Sequence, residues 1–189
     1  MNTDCINENS DDLTPFKVGN KWIFRFYSYD TTGAVVTTFL DSFSVKRNTV
    51  IGKEKWYKIP GFKPADVDIL DWYTNRSNGI WVLRRVISPK TDTAIAYLAF
   101  KYPTTKDESW GSPFGDSTRT ISVNEIVTTP SGTDTCIKYE DHYEFYQLGD
   151  LNYYFAPHKG WVMLELFTQI NSGCLYVVNR FVLEKAVVR

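Results

Sequence analysis

Long apolar runs, a surplus of cations and metal-binding side chains are what this chain has least of. It holds two histidines, three cysteines and two methionines in 189 residues. Lysine and arginine number 21 against 22 acidic residues, for a net charge of −1. With no excess of cations to neutralise a phosphate backbone, nucleic acid is not an expected partner. No segment approaches the roughly 18 apolar residues of a membrane-spanning helix. The longer apolar stretches, such as "CLYVV" at 174 to 178, have the size of a strand. The opening "MNTDCINENSDD" has neither the basic start nor the apolar centre of an export signal, the pattern of a cytosolic chain or of a mature segment freed of its leader.

The cysteines, Cys5, Cys136 and Cys174, form no C-x-x-C pair and no zinc-binding spacing with histidine. Cys136 and Cys174 fall in strand-like runs and read as small buried apolar residues, with a Cys136–Cys174 disulfide as the alternative. Cys5 lies in a polar tail. A lipid-modified cysteine there would need an apolar segment immediately upstream, and "MNTD" is not one. Membrane association is expected only through such an N-terminal anchor. Neither G-x-S-x-G nor H-E-x-x-H occurs, and "TPSGTDT" lacks the lysine and following helix of a phosphate loop. No cofactor is expected.

Aromatic residues are what the chain has in quantity: 12 Tyr, 12 Phe and 6 Trp, or 16%. These residues favour strands and bury large areas. Residues 1–14 are polar and read as a flexible tail or linker, leaving 15–189 as a single β domain. "KWIFRFYSYD" and "AVVTTFLDSFSVKR" form a hairpin around Gly33, in which Val35, Thr37, Phe39, Asp41, Phe43 and Val45 make one alternating row. "DWYTNRSNGIWVLRRV" is a second hairpin, since Asn78-Gly79 supplies the positive φ angles of a tight turn. Proline and glycine punctuate further strand-like runs to the C-terminus, and no stretch holds helical periodicity over 11 to 18 residues. The fold class expected is all-β: an antiparallel meander of about ten or eleven strands. A sheet of that many strands must curl strongly, into a half-barrel or barrel, or fold into a sandwich, with at most one short helix near 64–70.

"PFKVGNKW" (15–22) and "PTTKDESW" (103–110) share their Pro-to-Trp spacing. Both deliver the chain from a turn to a tryptophan, and Trp22 and Trp110 read as core plugs of a faint internal repeat. Trp22 is expected to face inward with Phe24 and Phe26, after a tight turn at Gly19-Asn20.

"KYEDHYEFY" is the constellation closest to chemistry. Strand alternation puts Lys138, Glu140, His142 and Glu144 on one face and Tyr139, Tyr143 and Phe145 on the other. Glu140, His142 and Glu144 form a candidate metal or acid–base set. The alternative, and the expectation, is a solvated charged row opposite buried aromatics, with no metal. Asp66, Asp68 and Asp71 lack the glycine and terminal glutamate of a calcium loop, and His158 sits in a turn. For ligand binding the candidates are Trp72, Tyr73, Trp81, Tyr153, Tyr154 and Trp161.

"PFKVGNKWIFRFYSYD" resembles the opening of a domain in exported proteins and lipoproteins of Bacteroidetes-type bacteria, a Pro–Leu/Phe–x–x–Gly–Asn–x–Trp phrase. "TPSGTDTCIKYE" (129–140) and "YYFAPHKGWVMLEL" (153–166) are similar to that family's Pro-x-Gly-Thr-x-x-Cys and Tyr-Tyr-x-Ala-Pro-x-x-Gly phrases. The likeness spans most of residues 13 to 188. It departs at Thr104 to Ser109, in place of Leu-x-x-Gly-x-x, and at Trp161, where smaller apolar residues are common. The family carries no established activity, so no catalytic residue transfers. The resemblance implies a periplasmic, outer-membrane-anchored or extracellular all-β protein.

These readings lead to a non-catalytic envelope protein that binds an apolar or glycan ligand, or a protein partner, on a curved sheet. The partner classes are thus glycan, lipid or envelope protein. The alternatives are a glycosidase-like hydrolase with paired carboxylates across a cleft, and a structural assembly module with an exposed apolar patch or open edge strand.

Overall fold

A computed structural model describes residues 12–60, 72–88, 91–142, 150–169 and 175–189. Thirteen strands and no helix occur among them. The segment near 64–70, the Asp66–Asp71 group, Glu144, Tyr143, Phe145, Cys5 and Cys174 lie outside the described residues.

The strands are β1 (Lys21–Tyr29), β2 (Val35–Ser44), β3 (Arg47–Ile51), β4 (Glu54–Lys58), β5 (Trp72–Arg76), β6 (Gly79–Ser88), β7 (Thr91–Lys101), β8 (Ser109–Gly111), β9 (Ser117–Thr129), β10 (Gly132–His142), β11 (Leu151–Ala156), β12 (Gly160–Gln169) and β13 (Leu175–Val187). All pairings are antiparallel, as strands joined by short turns require. The all-β antiparallel reading holds, with two differences. The strands number thirteen because short elements such as the three-residue β8 are below what alternation can reveal. They also divide into two open sheets, ordered β2-β1-β13-β12-β11-β10-β9-β8 and β3-β4-β5-β6-β7. The meander breaks at β2–β3 and β7–β8, and the first strand, β1, pairs with the last, β13.

The large sheet curls sharply. β9 and β13 approach to within 8 Å between Cα atoms although three strands separate them; flat spacing would put them about 19 Å apart. Register shifts in the β9–β10, β11–β12, β12–β13 and β1–β13 pairs supply the bend, since an extra residue on one strand kinks it and increases its twist.

The main core lies between the sheets. Trp22, Phe24, Tyr139, Phe155 and Leu183 of the large sheet meet Ile80 and Phe100 of the small one. Phe100 stands 4.6 Å from the Phe155 ring and 5.3 Å from Tyr139. Tyr139 is fully buried while His142 on the other row of β10 is exposed, as the alternation requires. A second cluster, Val127, Cys136, Tyr154, Ala156 and Val162, fills the opposite face of the curled sheet. Cys136 is a free buried thiol there, and burial beside Asp134 pushes its pKa up to about 12.

The opening phrase is structural. Gly19 turns the chain at φ 95°, and Trp22 (0% exposed) and Phe24 (1%) face inward, with Phe26 packed against the same core. The Trp22 indole meets Trp161 edge-on at 5.5 Å and donates Nε1–H to the Lys159 carbonyl at 2.6 Å. Gly160 makes that approach possible: it has φ 90°, and a Cβ there would stand 3.0 Å from Thr14 and 3.2 Å from the Trp22 Nε1. Trp110 is the counterpart plug, edge-on to Tyr139 at 5.9 Å. Composition assigned Leu13 and Thr14 to the tail, but both are buried (1% and 0%), and the His158 N–H donates to the Asp12 carbonyl. The packed domain therefore begins before residue 15, because one leucine suffices to anchor a polar approach segment.

Candidate functional site

The outer face of the five-stranded sheet collects the richest surface chemistry. Tyr57, Tyr73 and Val82 point to the core; Phe16 packs on Tyr57 at 5.9 Å and on Tyr73 at 6.1 Å. Period-2 alternation therefore puts Glu54, Trp56 and Lys58 of β4, Trp72, Thr74 and Arg76 of β5, and Trp81, Leu83 and Arg85 of β6 on the other face, where Trp56 and Thr74 are themselves buried, at 2% and 5% exposure. Registers Arg47↔Lys58, Lys58↔Trp72 and Trp72↔Leu83 line these residues up across the strands.

Cations and indoles alternate on this face. Arg76 lies 4.1 Å from the Trp81 ring centroid and 5.7 Å from that of Trp56. It is held flat by two hydrogen bonds to Glu54, at 2.7 and 2.6 Å. Trp81 is fixed in turn by its Nε1–H donating to Asn78 Oδ1 at 2.8 Å. Trp72 has Arg47 at 5.4 Å and Lys58 at 5.8 Å.

A trough of about 380 Å³ opens here, lined by Ile51, Trp72, Leu83, Arg85, Asp92 and Ala94. Ile51 belongs to one edge strand of the sheet and Ala94 to the other. Flat strands would hold those edges about 19 Å apart, so the sheet curls around the trough. Arg85 and Asp92 form an exposed ion pair at its rim, Nε to Oδ1 2.7 Å. The hydrogen bond from Arg85 holds the Asp92 carboxyl below the usual carboxylate range.

A second cleft of the same volume is lined by Tyr29, Thr31, Thr32, Gly33, Tyr176, Val177 and Arg180 at the tip of the β1–β2 hairpin. Its cation is already committed. Arg180 donates to Glu165 at 2.9 and 2.6 Å, and the other Glu165 oxygen accepts from the buried Tyr154 hydroxyl at 2.8 Å. Burial and this carboxylate push the Tyr154 phenol well above its ordinary range.

The six aromatic candidates fall into three environments. Trp72 and Trp81 share the outer face just described. Tyr73, Tyr153 and Trp161 pack inward; Trp161 touches Phe16, Trp22, Phe43, Tyr73 and Phe155, and Tyr153 meets Phe100 edge-on at 4.9 Å. Tyr154 is buried in the second cluster. Glu140 pairs with Arg119 at 2.9 Å and His142 Nδ1 lies 2.7 Å from Asp150, so these two members of the candidate metal set have separate partners. Among the described residues the carboxyls with a clear shift, Asp30, Asp92 and Glu108, are held low by hydrogen bonds.

Sequence reading missed the cations on the tryptophans and the trough residues Ile51, Leu83 and Asp92. The signal was present in the alternation Trp72-x-Thr74-x-Arg76 beside Trp81-x-Leu83-x-Arg85, but not the curl that joins the sheet edges.

No family model matches the chain, and no curated protein matches it. A solved structure, described as a "putative lipoprotein" from Parabacteroides distasonis ATCC 8503, is similar at 15% identity and a TM-score of 0.46, over 94% of this chain and 99% of that one. No described helix is long and apolar enough to cross a membrane.

Proposed function

We propose that this protein is a non-catalytic binding protein of the bacterial cell envelope that holds a glycan in the trough of the five-stranded sheet. One observation carries the reading: Trp72 forms a wall of a 380 Å³ trough whose rim is charged and hydrogen-bonding. That volume lies at the lower end of ordinary ligand sites, about 300 to 1,000 Å³. A sugar ring presents an apolar face to an indole and hydroxyls to its surroundings. The exposed Arg85–Asp92 pair at the rim offers such hydroxyls both donors and acceptors, which a wholly apolar ligand would leave unused. The envelope setting is supported by the phrases at 15–22, 129–140 and 153–166.

The test is titration of intrinsic tryptophan emission with soluble oligosaccharides, repeated on Trp72→Ala. Saturable quenching that Trp72→Ala abolishes, with an unchanged far-ultraviolet spectrum, supports the proposal. Equal quenching in both proteins overturns the assignment of the trough. Recovery of the native protein from the cytosolic fraction overturns the envelope setting.

A further inference from the structure

We infer that β2 is a dimerisation strand, pairing antiparallel with β2 of a second copy about a two-fold axis through Phe39. Four strands border the sheets, and three are blunted. β8 has three residues and β3 five. On β7 the carbonyls of Ala99 and Lys101 already accept from Trp110 Nε1–H and the Tyr139 hydroxyl. β2 is ten residues long, or about 33 Å, and keeps one register with β1 from Lys21↔Ser44 to Ser28↔Thr37. It carries a single charge, Asp41, with no proline or lysine. Charge, proline, bulges and shortness are the means by which proteins protect an edge, and the span Val35–Ser44 uses them sparingly: the Ser42 N–H donates to Asp41 Oδ1 at 2.6 Å and the register shifts once, at the Val35 end.

The occupant follows from what runs off this edge. One row of side chains crosses the inner face of the large sheet in register: Tyr153, Leu164, Phe181, Phe26 and Phe39. The Phe181 and Phe39 rings lie 4.6 and 4.5 Å from Phe26. The row then stops at the open edge with Phe39 47% exposed and Leu40 beside it 57% exposed. A two-fold axis through Phe39 continues the row into its own image. It sets Phe39 against Phe39, Val35 against Phe43 and Thr37 against Asp41, and no like charges face each other. The polar segment 1–11 is a poor occupant, since asparagine, aspartate and serine are depleted in strands. Association ends at two copies, because the far edge of the large sheet is then the three-residue β8. An interface of one strand is small, so the dimer is reversible and of micromolar strength or weaker.

Sedimentation velocity of the full chain from micromolar to millimolar concentration tests this. The expected result is a reversible monomer–dimer equilibrium that Phe39→Lys weakens about tenfold or more, by facing two cations and removing a ring pair. Thr37→Asp places two carboxylates opposite Asp41 of the other copy and weakens the dimer, while Thr37→Lys strengthens it at low salt. Thr37 is exposed, so the paired Thr37 variants decide the matter even if Phe39→Lys misfolds. A chain monomeric throughout, growth beyond the dimer, or a Phe39→Lys protein that folds and dimerises normally overturns the inference. Thr37→Asp and Thr37→Lys shifting the equilibrium in the same direction overturns the register through Phe39.

Discussion

Replacing Trp22 by alanine isolates what the opening phrase contributes. The indole is 0% exposed, meets Trp161 edge-on at 5.5 Å and donates to the Lys159 carbonyl at 2.6 Å. Truncating a buried tryptophan to alanine costs about 3 to 5 kcal/mol, through lost burial and the cavity left behind. The upper part of that range applies here, because the Lys159 carbonyl also loses its donor and Gly160 offers no side chain to fill the space. Trp22→Phe keeps much of the buried area and loses chiefly the hydrogen bond and some contact, for about 1 to 2 kcal/mol. At roughly 2 to 4 °C per kcal/mol for a domain of this size, the melting temperature should fall by about 8 to 20 °C for Trp22→Ala. Trp22→Phe should fall between that variant and the parent. Thermal melts and urea unfolding by circular dichroism give both numbers. Val50→Ala, at a side chain 68% exposed, is the control expected within about 0.5 kcal/mol of the parent. A Trp22→Ala protein that melts with the parent would refute the core-plug reading, and one that also loses a ligand would make Trp22 a binding residue.

Other expectations follow from single contacts. Gly79→Ala should prevent folding, since a Cβ there would stand 2.0 Å from the Phe100 carbonyl oxygen at φ 129°; soluble, cooperatively melting protein would contradict this. Glu165→Ala should cost about 2 to 3 kcal/mol in urea unfolding, because the buried Tyr154 hydroxyl and Arg180 lose their acceptor; an unchanged midpoint would show that the cluster is energetically neutral. Cys136 should resist a thiol reagent at pH 8 in a Cys5→Ser, Cys174→Ser background until the protein unfolds. With its thiol raised from 9.0 to about 12 in the fold, the stability it lends is complete below pH 9. It declines as pH rises toward 12, where only the unfolded chain gives up the proton. Rapid labelling at pH 8, or a melting temperature that rises between pH 9 and 11, would contradict that burial.

Alternation and turn chemistry were enough to read much of this protein from its residues alone. Gly33 sits in the β1–β2 turn with positive φ, a local requirement that glycine meets without strain; the second hairpin turns at Ser77-Asn78, one residue earlier than expected, and Gly79 opens β6 opposite Arg76 at φ 129°. The inward set of Trp22, Phe24 and Tyr139 follows from a period of two, which needs no knowledge of which strands pair. The Pro-to-Trp spacing likewise marked Trp22, which is fully buried, and Trp110, which is half-buried against Tyr139. The tertiary structure alone decided the rest. That β1 pairs with β13, and that the meander divides between β2 and β3, are choices among contacts far apart in sequence. Local propensity carries no information on such choices. The fate of each aromatic residue was decided the same way. Trp72 and Tyr73 are neighbours in one strand, yet one walls a trough and the other packs on Phe16, because only one side of the sheet faces the main core. Trp161 became the centre of five ring contacts because Gly160 let Trp22 approach its strand. Curvature, a product of bulges and unequal strand lengths, brings Ile51 and Ala94 from opposite sheet edges to one trough. The alternating row of β2 was legible residue by residue, but its position at an open edge, which leaves Phe39 half exposed, exists only once the strands are ordered.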